Sequence, residues 1–115
     1  MTGANGGVGT ALLELLQVLG ITAYGYCRPQ HFALVEKFGA RPIEDKRSDE
    51  TVDAAVKRVV PEGVDCAFDV LGGYKAAQCL HAVKKGGTLV GYGFTAACVG
   101  KKASTYLAVR GILTW

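Results

Sequence analysis

Apolar residues along the chain follow two alternating spacings, one typical of helices and one typical of short strands. Four segments carry helical spacing or helix-start signals: 10–19, 30–38, 48–60 with an N-cap at Ser48, and 74–83. Four shorter segments predict strands: 21–26, 64–71 and 88–94, which are rich in apolar residues, and 41–44, which has only a weak and short strand signal. A further helix is predicted in the tail, at 101–115.

The alternation of helix and strand, with short connections, predicts βαβ units. The strands at 64–71 and 88–94 are nearly continuous in apolar residues, which is typical of parallel strands buried on both faces. The turn Lys-Lys-Gly-Gly at 84–87 separates the last of these strands from the helix before it. The predicted fold class is therefore α/β, a parallel sheet with helices on both of its faces.

A glycine-rich turn, Ala4-Asn5-Gly6-Gly7-Val8-Gly9, stands directly before the first predicted helix. It fits the pattern G-x-G-x-x-G with Ala4 in the first position. Gly6 would let the backbone approach a pyrophosphate, and Gly9 would let the helix pack closely on the sheet. Free N–H groups at the start of the helix would face the phosphates. The alternative is a tight strand–helix turn that binds no ligand.

The end of the second strand of the pattern, Tyr26-Cys27-Arg28, bears on the choice of cofactor. An NAD site usually has a carboxylate about 20 residues after the glycine turn, where it binds the ribose hydroxyls. The next carboxylate along this chain is Glu36, inside a predicted helix. Arg28 is instead suited to a 2′-phosphate, because its guanidinium is planar and always charged. The sequence favours NADP(H) over NAD(H), with a solvated loop charge as the alternative role of Arg28.

Four segments together resemble the cofactor domain of the medium-chain dehydrogenases/reductases, in its zinc-independent quinone oxidoreductase-like branch. They are ANGGVG, GARPIED, GVDCAFDVLGG and KKGGTLVGYGF, in the family's order and spacing over essentially the whole chain. The resemblance implies a Rossmann-type doubly wound parallel sheet and assigns residues 1–115 to part of an NAD(P)-binding domain. It also implies hydride transfer from NADPH to a quinone, an enone or a similar carbonyl compound.

The resemblance further implies which residues contact NADP(H). The glycine turn would hold the pyrophosphate, Arg28 would read the adenosine 2′-phosphate, and the turns after the last two strands would lie near the ribose and the nicotinamide. The residues in those three turns are Asn5, Gly6, Gly7, Val8 and Gly9; Leu71 and Gly72; and Tyr92, Gly93 and Phe94. Packing in a core or at a strand end is the alternative role of their apolar members. No catalytic residue and no metal ligand is predicted.

A second family also matches the opening of the chain. Thr2-Gly3-x-x-x-Gly7-x-Gly9 fits the T-G-x-x-x-G-x-G turn of the short-chain dehydrogenases. Those enzymes need a Y-x-x-x-K pair, in which the lysine lowers the pKa of the tyrosine that acts as acid and base. None of the five tyrosines has a lysine four residues later, and DVLGG stands where that family has N-N-A-G. The short-chain dehydrogenases therefore remain the weaker alternative.

Net charge, apolar runs and cysteine spacing argue against three classes of partner, namely nucleic acid, membranes and metal ions. A net charge of +3, from 13 basic and 10 acidic side chains, is too small to favour nucleic acid or an anionic membrane. No apolar run approaches the roughly 18 residues of a membrane-spanning helix. The four cysteines form no C-x-x-C pair, and neither histidine has a metal-ligand spacing. Free thiols favour a reducing, cytoplasmic location, and the expected partner is a small-molecule substrate.

The glycine turn requires a preceding strand, yet only Met1 and Thr2 are available to form it. We therefore expect the first strand, and a separate catalytic domain, to lie upstream in a longer protein. In strand order 3-2-1-4-5-6 the first strand is central, so its loss exposes backbone groups on its neighbours. Two other hypotheses are a non-catalytic nucleotide-binding or interaction module, completed by a second chain in a homo-oligomer, and an inactive fragment.

We predict that the 115-residue chain alone is unstable, rearranged or completed by another chain, because unpaired strand edges leave N–H and C=O groups without partners. Thermal unfolding followed by circular dichroism, combined with the mass measured by light scattering, checks this. A cooperative transition at monomeric mass would contradict it.

Overall fold

A computed structural model describes residues 1–95, and the helix predicted at 101–115 lies outside this range. The chain divides into two compact units, Met1–Glu50 and a second unit that begins at Thr51. Each unit contains helices and a pair of parallel strands, so the predicted α/β class is confirmed. The assignment of residues 1–115 to one domain stays a prediction.

The first unit follows the predicted order of elements. It consists of helix α1 (Gly7–Val18), strand β1 (Tyr24–Cys27), a 3-10 turn (Pro29–His31), helix α2 (Phe32–Lys37) and strand β2 (Arg41–Glu44). β1 and β2 are parallel, with Tyr24 opposite Arg41 and Cys27 opposite Glu44.

Two boundaries in the first unit differ from the prediction. α1 begins at Gly7 rather than Thr10, because the glycine turn itself forms the first helical turn. β1 begins at Tyr24 rather than at residue 21, and Ile21 is exposed just after the end of α1. The strand predicted at 41–44 has the bounds that β2 shows.

Met1 occupies the place of the predicted first strand. Its amino group donates a hydrogen bond to the carbonyl of Tyr24 at 2.6 Å, and its own carbonyl accepts from the N–H of Tyr26 at 2.8 Å. This is the hydrogen-bond pattern of a parallel bridge to β1. The glycine turn after Met1 and the loop after β1 therefore lie at the same end of their strands.

The core of the first unit is small and tightly packed. Its buried members come from the glycine turn, α1, the end of β1, α2 and the residue before β2: Ala4, Leu13, Cys27, Val35 and Ala40. Gly25 lies under this core, where a Cβ would stand 2.8 Å from both Ala4 Cβ and Val35 Cγ1. Glycine at this position therefore brings β1 close to the turn and to α2.

The second unit begins with helix α3 (Val52–Val59), followed by strand β3 (Val64–Asp69), helix α4 (Gly73–Ala82) and strand β4 (Val83–Gly91). The N-cap predicted at Ser48 is wrong, because Thr51 caps α3 by accepting from the N–H of Ala54 at 3.3 Å. Ser48 accepts instead from the N–H of Glu50, in a local turn before the helix. Gln78 of α4 accepts from the N–H of Val52 at 3.0 Å, which joins the start of α3 to α4.

β3 and β4 are parallel, but their pairing is interrupted. Val64 pairs with Val83, and the next pair is Cys66 with Thr88, so three extra residues of β4 bulge out of the ladder. Gly86 in this bulge has φ +84°, a backbone conformation that glycine adopts at low cost. The separate turn predicted at 84–87 is therefore a bulge inside β4, and β4 ends at Gly91 rather than at residue 94.

The prediction that these two strands are buried on both faces is also wrong. Asp65 and Cys66 of β3 are exposed, and most of β4 is exposed, with Val90 at 37%. Among the described residues the strands pair in two separate two-stranded sheets rather than in one sheet. The first strand of the predicted order contributes a single bridge at Met1, which is too short to form a ladder.

Gly9→Ala and Gly7→Ala form a matched pair that tests the close approach of α1 to the glycine turn. A Cβ on residue 9 would collide with Gly3 O and stand 3.0 Å from Ala4 Cα, whereas a Cβ on residue 7 would meet nothing within 4 Å. We expect Gly9→Ala to lower the free energy of unfolding by about 1–3 kcal/mol. Gly7→Ala should be neutral or stabilise by up to about 1 kcal/mol. Urea denaturation of both variants measures the difference, and equal effects would contradict the packing.

Candidate functional site

The glycine turn is open on its outer side. Asn5, Gly6, Gly7 and Val8 are exposed, with Val8 at 64%, so Val8 does not have the core-packing role that was its alternative. Gly9 is buried against the backbone of Gly3 and Ala4. The close packing predicted at Gly9 is therefore observed, and the preceding residues of the turn are exposed to solvent.

The start of α1 leaves backbone donors available. Gly6 is its N-cap, with no side-chain cap and no acidic residue in the first turn. Within the described residues, the N–H groups of Gly7, Val8 and Gly9 have no hydrogen-bond acceptor, whereas the N–H of Gly6 donates to Gly3 O at 3.0 Å. Three N–H groups without an acceptor, at the positive end of a helix, suit a phosphate. The donor set therefore fits the pyrophosphate of a dinucleotide.

The side chain of Thr10 hydrogen-bonds to the backbone of the glycine turn, a contact that the glycine pattern did not predict. Its hydroxyl contacts the carbonyls of Gly6 and Gly7, at 3.0 and 3.1 Å. This is the back-bonding of a threonine side chain to its own helix, and it fixes the rotamer of Thr10 against the first turn of α1. A threonine four residues after the N-cap is the only sequence signal for it.

Arg28 follows the end of β1, at the same end of the strands as the glycine turn. Its side chain is half-buried, and the structure gives its guanidinium no hydrogen bond or ion pair within the described residues. The backbone carbonyl of Arg28 accepts from the N–H of His31 at 2.9 Å, which starts the 3-10 turn. The charge of Arg28 is therefore available to an external anion.

A carboxylate that the sequence did not place here lies near the end of β1. Asp45 follows the neighbouring strand β2, and its N–H donates to the carbonyl of Cys27 at 2.9 Å. The pKa of the Cys27 thiol is raised by burial and, to a lesser extent, by the charge of Asp45. Parallel pairing of β1 with β2 brings Asp45 to this edge, although it is distant from Arg28 in the sequence.

In the second unit, the turns after β3 and β4 lie side by side. The N–H of Tyr92 donates to Asp69 O at 2.9 Å, and the N–H of Thr95 donates to Val70 O at 3.0 Å. A Cβ on Gly72 would stand 3.0 Å from Phe94 Cα, and one on Gly93 would stand 2.8 Å from Val70 O. The structure thus brings together the five candidate residues of this unit, Leu71, Gly72, Tyr92, Gly93 and Phe94.

The two aromatic candidates of this unit differ in exposure. Phe94 is 42% exposed, so it is available to a ligand. The hydroxyl of Tyr92 is buried and has no hydrogen-bond partner in the part of the chain that the structure describes. The pKa of Tyr92 is raised, first by burial and then by the nearby charge of Asp69. Tyr92 is therefore a neutral phenol at physiological pH.

Asp69 is fully buried at the end of β3, and sequence reasoning did not select it. Its carboxylate accepts from the N–H of Leu71 at 3.2 Å and of Gly72 at 2.8 Å. The thiol of Cys79 donates to the same carboxylate at 3.7 Å. Burial, followed by the charge of Asp69, raises the pKa of Cys79 to about 12, so this thiol stays protonated. An Asp at the end of a strand, followed two and three residues later by the N–H groups of a turn, is the sequence signal that could have identified this role.

Across residues 1–95, no three His, Cys, Asp or Glu side chains are grouped closely enough to hold a metal ion. None of the described helices has the length and apolar character needed to cross a membrane. Cys27, Cys66 and Cys79 are free thiols.

Known proteins resemble the chain in sequence. The family model described as zinc-binding dehydrogenase matches residues 7–113. The synaptic vesicle membrane protein VAT-1 homolog of Homo sapiens is 33% identical over 114 residues, which cover 97% of this chain and 28% of that protein. The trans-enoyl reductase ucsL of Acremonium sp is 35% identical over 86 residues, which cover 74% of this chain and 21% of that protein. The chain thus spans much less than half the length of these relatives.

A solved structure shares the fold. The crystal structure of a quinone oxidoreductase from Pseudomonas syringae pv. Tomato DC3000 superposes with a TM-score of 0.72 at 22% sequence identity. The match covers 96% of this chain and 34% of that one. The predicted Rossmann-type fold is therefore confirmed. Because the family model matches most of the chain, the chain belongs to the zinc-binding dehydrogenase family, within the medium-chain dehydrogenases/reductases.

Proposed function

We propose that this chain is the NADP(H)-binding part of an oxidoreductase that reduces a quinone, an enone or a similar activated carbonyl compound. The observation that carries the proposal is the start of α1, where the N–H groups of Gly7, Val8 and Gly9 have no hydrogen-bond acceptor within the described residues. These donors need an anion or water, and the pyrophosphate of a dinucleotide supplies matching oxygens.

The preference for NADPH over NADH rests on Arg28. Its guanidinium has no acidic partner within residues 1–95, and it follows β1 at the edge where the adenosine ribose of a dinucleotide would lie. A 2′-phosphate there would form charge-assisted hydrogen bonds with the guanidinium. Asp45 at the same edge would favour ribose hydroxyls instead, so NAD(H) is the specific competing cofactor.

The substrate class is drawn from proteins that the chain resembles. One relative is a trans-enoyl reductase, and a solved structure with the same fold is a quinone oxidoreductase. Both names describe reduction of an activated double bond or ring. Bound NADPH would supply the hydride for such a reduction. The described residues offer no grouping of metal ligands, so we propose no zinc-dependent step for them.

The residues of this chain would bind and orient the cofactor rather than carry out proton transfer. The glycine turn would hold the phosphates, and Arg28 would select the 2′-phosphate. In the second unit, Leu71 and Gly72 would line the ribose side, and the turn at 92–94 would lie near the nicotinamide. Tyr92 is unsuited to be a general base, because its hydroxyl is buried and its raised pKa keeps it protonated.

A non-catalytic nucleotide-binding module is the second candidate function. It is favoured by the exposed apolar residues of α1, Leu15 at 53% and Val18 at 79%, which a second chain would cover. Such a module would bind NADPH without oxidising it, and a homo-oligomer is its expected form. A cytoplasmic location, inferred from free thiols, stays a prediction.

Titration of the purified chain with NADPH, followed by nicotinamide fluorescence and melting temperature, tests the proposal. We expect saturable binding with a rise in melting temperature, because a ligand that binds only the folded state stabilises it. Oxidation of NADPH with a quinone acceptor would then separate the enzyme from the non-catalytic module. Failure to bind either NADPH or NADH would contradict both.

Arg28→Ala should weaken NADPH binding about tenfold, the equivalent of one charge-assisted hydrogen bond, and change NADH binding less than about twofold. Arg41→Ala is the matched control, because it removes the same charge at the opposite end of the strand pair, where Arg41 lies across from Tyr24. Dissociation constants for both nucleotides are measured by fluorescence at one salt concentration. Equal losses of affinity for NADPH and NADH would show that Arg28 does not select the 2′-phosphate.

Asp45→Asn removes the negative charge near Arg28, and it tests whether this edge of the strands binds a 2′-phosphate or ribose hydroxyls. If a 2′-phosphate lies there, removing the nearby negative charge should tighten NADPH binding or leave it unchanged. A loss of NADH affinity without a change for NADPH would assign Asp45 to the ribose hydroxyls and make NAD(H) the better cofactor.

A further inference from the structure

We propose that Asp69 is a positioning residue, whose buried carboxylate holds the turn after β3 in the shape that receives the cofactor. This turn, Val70-Leu71-Gly72, is named here the clamped turn. The inference rests on the proposed function, because it assigns a role in NADPH binding to a residue that does not itself face the cofactor.

The hydrogen bonds of Asp69 determine the direction of the clamped turn. One carboxylate oxygen accepts from Leu71 N–H at 3.2 Å, and the other accepts from Gly72 N–H at 2.8 Å. Both N–H groups therefore point back into the protein, so they are not available to a phosphate. The turn can offer a ligand its outer backbone and the side chains of Val70 and Leu71, which are both half-buried.

The same residue also connects the clamped turn to the second turn of this unit. The backbone carbonyl of Asp69 accepts from Tyr92 N–H at 2.9 Å, and Val70 O accepts from Thr95 N–H at 3.0 Å. Gly72, at φ +75°, passes so close to Phe94 that a Cβ would stand 3.0 Å from its Cα. A change in the clamped turn would therefore displace Phe94, which lies on the side proposed for the nicotinamide.

Burial of a carboxylate is unfavourable unless its oxygens are fully hydrogen-bonded. Asp69 is 0% exposed, and its donors include the thiol of Cys79 at 3.7 Å as well as the two N–H groups. Asn could accept at one oxygen only, and its NH₂ group would oppose a backbone N–H. A carboxylate is therefore required to hold both N–H groups of the clamped turn at once.

Asp69→Asn tests this role, with Asp65→Asn as the matched control. Asp65 lies on the same strand, but its side chain is 94% exposed and forms an ion pair with Lys84 at 3.4 Å. We expect Asp69→Asn to raise the Kd for NADPH about tenfold, measured well below the melting temperature of the variant, and Asp65→Asn to change it less than about twofold. A lower melting temperature with an unchanged Kd would overturn the proposal, since it would show a structural role only.

A second pair of variants acts on the clamped turn without removing the buried charge. Gly72 and Gly73 both have positive φ, +75° and +57°, so alanine is strained at each, but only a Cβ on residue 72 would contact Phe94. We expect Gly72→Ala to raise the Kd for NADPH more than Gly73→Ala does. If Asp69 acts through this turn, Asp69→Asn combined with Gly72→Ala should cost less than the sum of the two changes. Additive effects would contradict the coupling.

Amide hydrogen exchange in the unmodified chain tests the hydrogen bonds of the clamped turn independently of the proposed NADPH binding. We expect the N–H groups of Leu71 and Gly72 to exchange slowly, because both are hydrogen-bonded to a buried carboxylate. Fast exchange at both would show that Asp69 does not hold the clamped turn, whatever the result for NADPH binding. Slow exchange with no binding of NADPH would leave the clamp in place and overturn its proposed role toward the cofactor, together with the proposed function.

Discussion

Close contact of one backbone segment with another, possible only where a side chain is missing, is the constraint on which both candidate turns depend. Gly9 places the start of α1 directly against Gly3 and Ala4. Gly72 and Gly93 do the same for the turns after β3 and β4. Side chains at these positions would separate the segments, and the outward N–H groups of α1 and the paired turns of the second unit would lose their geometry. The candidate site is thus made largely of main chain.

The sequence predicted the parts of the fold that local rules govern. The order of helices and strands is correct, and β2 has the predicted bounds, because apolar spacing and glycine signals act within a few residues. The glycine turn was recognised for the same reason. The N-cap at Thr51 was missed because two hydroxyl residues, Ser48 and Thr51, offered the same signal, and Gln78, which lies 26 positions from Val52, supports the start observed.

Other features depend on contacts between distant residues and could not be read from the sequence. Asp45 reaches the edge of Arg28 only through the register of β1 with β2. The bulge in β4 depends on its pairing with β3, and the exposure of β4 depends on how many strands flank it. The role of Asp69 was not predicted, because the sequence around an acidic residue in an apolar strand does not show which N–H groups will donate to it. Two of these features are acidic residues next to the candidate turns: Asp45 directly after β2 and Asp69 at the end of β3.

A site made of main chain is compatible with low sequence identity between proteins that share a fold. The superposition with a quinone oxidoreductase has a TM-score of 0.72 at 22% identity. Phosphate binding by N–H groups requires glycine at a few positions and helical geometry after them, and it leaves most side chains free to differ. Specificity must then come from the few charged side chains at the edges of the turns. In the first unit, Arg28 and Asp45 have opposite charges at one edge, so under the proposed function the choice between a 2′-phosphate and ribose hydroxyls would depend on which of them lies nearer the ligand.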